Sequence, residues 1–424
     1  MRPSSQRIVL SLAAAASIVL LLLPWWRNHA LLVDFFDYGL VMAAAGRMQL
    51  GESPYVDFVS PIQTLQFLGA LAAERLGGAR YLSLTYAGAA FMLASFVGLT
   101  ALLWRTWGAR CALLMALTIV VASAGQHTII WYNAMGVIWL AIVVWITAQT
   151  RSDQRGELGR LALVWAALWL GGMTKLTFQA AALAFAITFT LRAAFANSLS
   201  WRRARLRILS FFGFGVIAPI ATEMWVTGAT LEQWITNVLI LPARFRTDML
   251  GQIVTGKFYL QTPHDYYYPL FFKFAGAWGV ALLACTVIII AASLRAQSPR
   301  TRAIDWAMLA VLGLGAWISS AVLLATNMDI AYLSAAVPLV LAIGLVRAFS
   351  PSSAGVRRIW IRWIFGGAAV SLLVPAWLAA WAGTRALWGH EPLDRATMAS
   401  ADDLPVRFGY LRGMKILPTL HADL

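Results

Sequence analysis

The chain has 424 residues, of which 60% are hydrophobic and only 12% are charged. A soluble domain of this length carries about twice that charged fraction, so the composition excludes a soluble globular protein and predicts a multi-pass membrane protein. The net charge of +15 does not indicate nucleic-acid binding, because the arginines cluster at the ends of apolar segments, where they fix membrane topology.

The predicted fold class is all-α, a polytopic helix bundle of about eleven transmembrane helices, because the long apolar runs do not alternate as the strands of a β-barrel do. Residues 1–23 resemble a signal peptide, but Pro24, Trp25 and Trp26 follow in place of a small-residue cleavage site. We therefore expect an uncleaved first span. The predicted spans are 8–24, 79–103, 111–125, 129–149, 158–172, 175–194, 207–227, 268–293, 304–325, 330–349 and 363–386.

Arginine clusters occupy every second connection between these spans, at 2–7, 105–110, 151–160, 192–207, 295–302 and 347–362. The positive-inside rule makes that side cytoplasmic, with the N-terminus cytoplasmic and the C-terminus outside. Residues 1–386 then form one transmembrane module. Its first outer loop (about 25–78), a second long loop (about 228–267) and the tail 387–424 all face outward, so we expect any chemistry there. Within the first loop, Asp37–Leu50 and Pro61–Gly77 read as interfacial helices.

Three aspartates of the first outer loop, Asp34, Asp37 and Asp57, are the candidate catalytic residues. Carboxylates are costly near hydrocarbon, and one at the boundary can act as a general base or hold a metal that binds phosphate. The alternative is structural. Asp37 can cap the helix that it opens, and Asp57 lies in a Ser-Pro-Tyr-Val-Asp turn that accounts for an aspartate by itself.

Basic residues predicted on the outer side are candidates for binding a donor phosphate. Lys175 stands between two apolar runs, and Arg244, Arg246 and Lys257 lie in the second long loop among several tyrosines. A lysine can neutralise a phosphate as a point charge. The alternatives are snorkelling of the lysine to lipid headgroups and an ordinary interfacial aromatic belt.

Other polar residues of the predicted outer turns are candidates to line a substrate cavity, or are structural: Tyr55, His127, His264, Tyr267, Asn327 and Asp329.

The first-loop motifs resemble the GT-C superfamily of integral-membrane glycosyltransferases, in particular the bacterial protein-mannosyltransferase and aminoarabinose-transferase group. The resemblance rests on Asp37-Tyr38-Gly39, Ala45-Gly46-Arg47 and the segment Gly51-Glu52-Ser53-Pro54-Tyr55-Val56-Asp57-Phe58. Gly172-Met173-Thr174-Lys175 is similar to a helix junction of the family. The specific match covers about residues 30–80, and a looser match in topology extends to about 386.

The resemblance implies transfer of a sugar from a polyprenyl-phosphate donor to a glycan, lipid or protein acceptor, at the outer face of a bacterial inner membrane. It further implies inversion with Asp37 as the base, and neutralisation of the donor phosphate by Lys175 and the arginines of the second long loop. Two departures, Tyr38 in place of a second acid and Gln126 with His127 in place of another, argue against metal dependence. No cofactor is therefore assigned.

Two other functions stay open at the level of sequence. A transporter or flippase of lipid-linked glycans would need charged groups near the middle of its spans, whereas the polar residues here collect at one face. The second of these functions is an inactive scaffold with the same fold. It stays open because Tyr38 stands in place of the second acid of the family's motif.

Overall fold

The computed structural model describes residues 3–29, 35–78, 81–125, 127–148, 156–196, 198–244, 331–349 and 355–382. These residues are almost entirely helical, and in the described ranges the only β-type pairing is an isolated bridge between Pro54 and Phe58. The predicted all-α fold class is confirmed. The predicted spans 268–293 and 304–325 lie outside the described residues, so the count of eleven stays a prediction.

The chain begins with one long helix and two short ones, α1 (Pro3–Asn28), α2 (Phe35–Gln49) and α3 (Leu65–Gly77). Both predicted helices of the first loop are present, with two corrections. The first starts at Phe35, so Asp37 lies inside the helix and does not open it. The second starts at Leu65 and not at Pro61. The four preceding residues form a turn, because Thr64 directs its backbone N–H and its hydroxyl to Glu223 and the Ser60 hydroxyl bonds to Ile62.

Two helices, α5 (Ala109–Ala124) and α6 (Tyr132–Thr147), form the centre of the bundle, and nearly all of their side chains are buried. Helix α4 (Tyr81–Trp107) packs on α5. Two later helices, α12 (Ala331–Phe349) and α13 (Gly355–Ala382), pack on α5 as well, and α12 also contacts α6. The buried side chains of α5 and α6 are mostly apolar, so the centre of the bundle is an apolar core.

Two helices, α7 (Glu157–Gly172) and α8 (Leu176–Phe195), pack on α6. A continuous rod packs on α7 and α8 in turn, and it consists of α9 (Trp201–Phe212), a π-helical segment (Gly213–Ile217) and α10 (Ala218–Thr227). A π-helical turn frees a backbone carbonyl, and Gln179 Nε2 donates to the carbonyl of Gly215 at 2.6 Å. The helix α11 (Leu231–Ile235) and a second π-helical segment (Thr236–Ile240) follow.

Four stretches are long and apolar enough to cross a membrane: Arg7–Asn28, Leu82–Trp104, Leu176–Phe195 and Trp201–Thr227. In the last of these, Trp201 and Trp225 are exposed near the two ends. They are separated by about 36 Å at 1.5 Å per residue, which suits tryptophans at the two interfaces of a bilayer. Shorter apolar helices lie between these spans and after the last of them. The protein is therefore a multi-pass membrane protein.

Candidate functional site

Arg47 organises the turn that follows α2. Its guanidinium pairs with the carboxylate of Glu52, donates to the carbonyl of Asp57 at 3.1 Å and lies 4.5 Å from the ring centroid of Phe58. Gly51, at φ +89°, lets the chain reverse directly after the helix. Arg47 and the motif from Gly51 to Phe58 therefore form one compact turn.

Asp57 stabilises the same turn from within. Its Oδ2 accepts a hydrogen bond from the backbone N–H of Ser53 at 2.7 Å, and the residue is exposed. This contact is the local role that an aspartate in such a turn is expected to have. Asp57 stays at the surface, whereas Tyr55, two residues earlier in the chain, is buried and makes polar contacts inside the bundle.

Tyr55 is the point at which the turn enters the bundle. It is 3% exposed and holds φ at +71°, a left-handed conformation that is uncommon for a large non-glycine residue. Its hydroxyl donates to the carbonyl of Ile62 at 3.0 Å and lies 3.5 Å from Oε1 of Glu223. Burial, and then the charge of Glu223, raises the pKa of the Tyr55 hydroxyl well above its usual value, so the group is a donor at neutral pH.

Glu223 lies in α10 and is completely buried. Its Oε1 accepts from the backbone N–H of Thr64 at 2.7 Å and from the Thr64 hydroxyl at 3.1 Å. Its Oε2 accepts from the indole N–H of Trp234. The carboxylate thus receives donors from the first loop on one oxygen and from α11 on the other.

Two further contacts fix the loop segment 51–64 on the bundle. The backbone N–H of Ser60 donates to Oδ1 of Asn237 at 3.1 Å, and the backbone N–H of Leu65 donates to the carbonyl of Met173 at 3.1 Å. The second contact places the start of α3 on the turn between α7 and α8. Because both donors are backbone groups, the contacts depend on the path of the loop.

Lys175 follows that turn directly and begins α8. It is 7% exposed, and its ammonium donates to Oδ1 of Asn133 and lies 4.7 Å from the ring centroid of Tyr132. An amide oxygen and aromatic faces stabilise a cation without cancelling its charge. A buried ammonium at this turn is a candidate to bind an anionic group, because lysine acts on a phosphate as a point charge.

His127 lies in the turn between α5 and α6. It is 6% exposed, and its ring stacks on Trp131 with the centroids 3.7 Å apart. Burial lowers the pKa of His127 to about 3, so the ring is neutral at physiological pH. The same turn is attached to α3, because Nε2 of Gln66 donates to the carbonyl of Ile130.

Of the other predicted site residues, only Asp37 and Arg244 lie in the part of the chain that the structure describes. Asp37 lies in the first turn of α2, at the backbone level. Arg244 is exposed at the end of the helical segment that follows α11. Asp34 and most of the residues predicted in the later loops lie outside the described residues: Arg246, Lys257, His264, Tyr267, Asn327 and Asp329.

Sequence reasoning missed Glu223 and its partners Thr64 and Trp234. A signal for Glu223 was present, because it is a single acid inside the apolar span 207–227 and an ionisable residue in a span is a candidate functional residue by default. Nothing in the sequence pointed to its partners. In the residues that the structure describes, no three His, Cys, Asp or Glu side chains lie together as a metal site would require.

No family model and no curated protein sequence matches this chain. Among solved structures, the chain is similar to the crystal structure of ArnT from Cupriavidus metallidurans bound to undecaprenyl phosphate, with a TM-score of 0.51 and 13% sequence identity. The match covers 84% of this chain and 62% of ArnT, so the chain spans about three fifths of the length of that protein. The chain therefore shares the fold of this ArnT structure, which agrees with the fold that the resemblance implies.

Proposed function

We propose that this protein is a membrane glycosyltransferase that moves a sugar from a polyprenyl-phosphate donor to an acceptor at the outer face of a bacterial inner membrane. The observation that carries the proposal is the position of Lys175, a buried cation at the turn between α7 and α8. The hydrogen bond from Leu65 to Met173 holds the first loop against this same turn. The fold shared with ArnT, whose structure contains undecaprenyl phosphate, supports the class of donor.

The proposed reaction is a direct displacement. The acceptor hydroxyl oxygen forms a bond to the anomeric carbon, and its proton passes to the carboxylate of Asp37. The bond between the anomeric carbon and the phosphate oxygen breaks, and the polyprenyl phosphate leaves with the electron pair. A single displacement inverts the configuration of the anomeric carbon.

Lys175 would stabilise the charge that accumulates on the leaving phosphate. A fixed positive charge in a site shielded from water stabilises such a charge more strongly than it could in solution. Arg244, Arg246 and Lys257 of the second long loop are proposed to assist Lys175 in binding the phosphate.

The residues predicted to line a substrate cavity are proposed to contact the sugar. Asp34 and Asp57 are the alternative bases to Asp37. The acceptor class, whether lipid, glycan or protein, stays open.

The arginine distribution supports the proposed orientation. The exposed arginines Arg202, Arg203 and Arg205 begin the span Trp201–Thr227, and Glu223 with the loop contacts lies near its other end. If the arginine-rich end is cytoplasmic, as the positive-inside rule requires, the loop contacts and Lys175 face the periplasm. A polyprenyl-phosphate sugar presented in the outer leaflet would then reach them.

The test is a comparison of cell-envelope glycans by mass spectrometry in a deletion strain that carries the wild-type protein, Asp37→Asn or no protein, at matched abundance. We expect one sugar increment to disappear on deletion and to return only with Asp37 present. Asp57→Asn, tested in parallel, examines the alternative base without breaking the turn, because asparagine keeps the acceptor for the Ser53 amide. Full restoration by Asp37→Asn would remove Asp37 as the base, and no change on deletion would remove the transferase proposal.

A further inference from the structure

We infer that Glu223 is a positioning residue, which holds the loop segment 51–64 on the bundle in the conformation that transfer requires. The inference rests on the proposed function, because it assigns a role in that reaction. Glu223 itself is completely buried behind Thr64 and Trp234, so it acts through the loop and not on the substrate.

A carboxylate at this position is costly for the fold. It lies in the span Trp201–Thr227 and is fully buried, and in the part of the chain that the structure describes no lysine or arginine pairs with it. A buried charge without a counter-charge persists only when hydrogen bonds replace its hydration, and apolar residues of similar size fill such a position at lower cost. The retention of an acid here therefore requires an explanation other than packing.

The donors that surround Glu223 give that explanation. They belong to the loop segment and to α11, and they come from Tyr55, Thr64 and Trp234. One of them is the backbone N–H of Thr64, at 2.7 Å, which bonds the loop whatever its side chains are. Hydrogen bonds to a charged acceptor are about twice as strong as those between neutral groups. A single buried carboxylate thus connects α10 and the nearby α11 to the loop segment, whose Thr64 lies 159 positions earlier in the chain.

The strained residue of the segment lies at the same place. Tyr55 has φ +71° and its hydroxyl reaches Ile62 and Glu223. A bulky residue persists in this conformation only where its surroundings impose it, and such strain concentrates at functional sites. The loop conformation is therefore imposed from the bundle, by Glu223 on one side and Asn237 on the other.

The segment connects the two groups that the proposed reaction uses. At its start, Arg47 joins it to α2, the helix that carries Asp37. At its end, Leu65 joins it to Met173, two residues before Lys175. If the segment leaves the bundle, the proposed base and the proposed phosphate-binding cation lose their relative position, which is costly for rate even when the shift is about 1 Å.

The test uses the full-length protein in lipid nanodiscs with the variant Glu223→Gln. A glutamine keeps the size of the side chain but turns an N–H toward one of the facing donors, so either Trp234 or Thr64 loses its acceptor. We expect backbone amide exchange across residues 53–64 to rise about tenfold or more, and the glycan increment per folded protein to fall by a similar factor.

A compensating variant separates positioning from a general loss of packing. Glu223→Gln combined with Trp234→Phe removes the donor that opposes the new amide, so the glutamine oxygen can face Thr64 again. We expect this double variant to recover much of the exchange protection and of the transfer, relative to Glu223→Gln alone. Thr118→Val, which removes a buried hydroxyl that bonds to Leu114 and Ala369, is the matched control and should change neither reading.

Two results would overturn the inference. Unchanged amide exchange at residues 53–64 in Glu223→Gln would show that the carboxylate does not hold the segment. Raised exchange with full transfer would show that the held conformation is not needed for the reaction. A wild-type protein without any transfer would overturn the proposed function and with it the catalytic role, while the exchange data would still decide whether Glu223 holds the loop.

Discussion

The backbone N–H of Leu65 donates to the carbonyl of Met173 at 3.1 Å, and this bond joins the first turn of α3 to the turn between α7 and α8. The two residues are far apart in the chain. Met173 belongs to the motif Gly172-Met173-Thr174-Lys175, and Leu65 follows the first-loop motif that ends at Phe58. Because Lys175 follows Met173 by two residues, the bond sets the distance between the first loop and the buried ammonium. The first loop and the α7–α8 turn therefore meet in space.

The first prediction concerns the charge of Lys175. Lys175→Met keeps the apolar stem and removes the ammonium that contacts Asn133 and Tyr132. We expect the glycan increment to fall about a hundredfold at matched protein abundance, because the variant loses the fixed positive charge that stabilises the leaving phosphate. The measurement is the rate of appearance of the glycan by mass spectrometry.

The control for this variant is Arg192→Met, which removes a cation from the last turn of the same helix, α8. It lies at the opposite end of the span, so transfer should stay at the wild-type rate. Equal activity of Lys175→Met and the wild-type protein would identify Lys175 as a lysine that only snorkels toward the headgroups.

The second prediction separates the two roles open to Asp57. The contact of its Oδ2 with the Ser53 amide needs an acceptor and not a charge. We expect Asp57→Asn to retain transfer within about twofold, and Asp57→Ala to destabilise the loop by about 1 kcal/mol, the usual net value of one hydrogen bond. The measurements are the glycan rate and the thermal unfolding midpoint in detergent. An inactive Asp57→Asn with normal stability would instead make Asp57 the base.

The helices of this bundle were predictable because hydrophobicity in a bilayer is a local property of the chain. The predicted span 158–172 and the helix α7 (Glu157–Gly172) agree almost residue for residue. The start of α3 was not predictable in the same way. Local sequence permits a helix from Pro61, but Thr64 gives its N–H to Glu223, a residue 159 positions later. Contacts between residues so far apart in the sequence determine the geometry of the site, and the pattern of a single sequence does not reveal them.

The third prediction concerns a close approach between α4 and the turn that carries His127. A Cβ atom on Gly88 would lie 2.9 Å from the backbone carbon of Ile129 and still closer to the carbonyl oxygen of Thr128. We expect Gly88→Ala to lower the free energy of unfolding by about 1–3 kcal/mol, because backbone must move to admit the methyl group. The unfolding midpoint in detergent measures the loss.

Gly98 provides the control, since it lies in the same helix and a Cβ there meets nothing within 4 Å. Gly98→Ala should leave the midpoint unchanged or raise it slightly, as alanine favours a helix. Equal midpoints for the two variants would contradict the close packing of α4 on this turn.

The fourth prediction concerns the pH dependence of stability through His127. Burial lowers its pKa to about 3 in the folded protein, against about 6.5 in the unfolded chain. Between these values the unfolded state binds a proton that the folded state does not, so stability rises with pH across this window. The contribution of His127 is complete above pH 6.5 and is lost on acidification toward pH 3.

A phenylalanine at position 127 keeps a ring that can stack on Trp131 but cannot titrate. We expect His127→Phe to reduce the loss of unfolding free energy between pH 7 and pH 5 by about 2 kcal/mol relative to the wild-type protein, from about 1.4 kcal/mol for each pH unit below 6.5. The comparison uses the slope with pH and not the absolute stability, because the substitution also removes polar contacts of the imidazole. Parallel curves for the two proteins would mean that His127 binds a proton without unfolding, and that its turn opens to water.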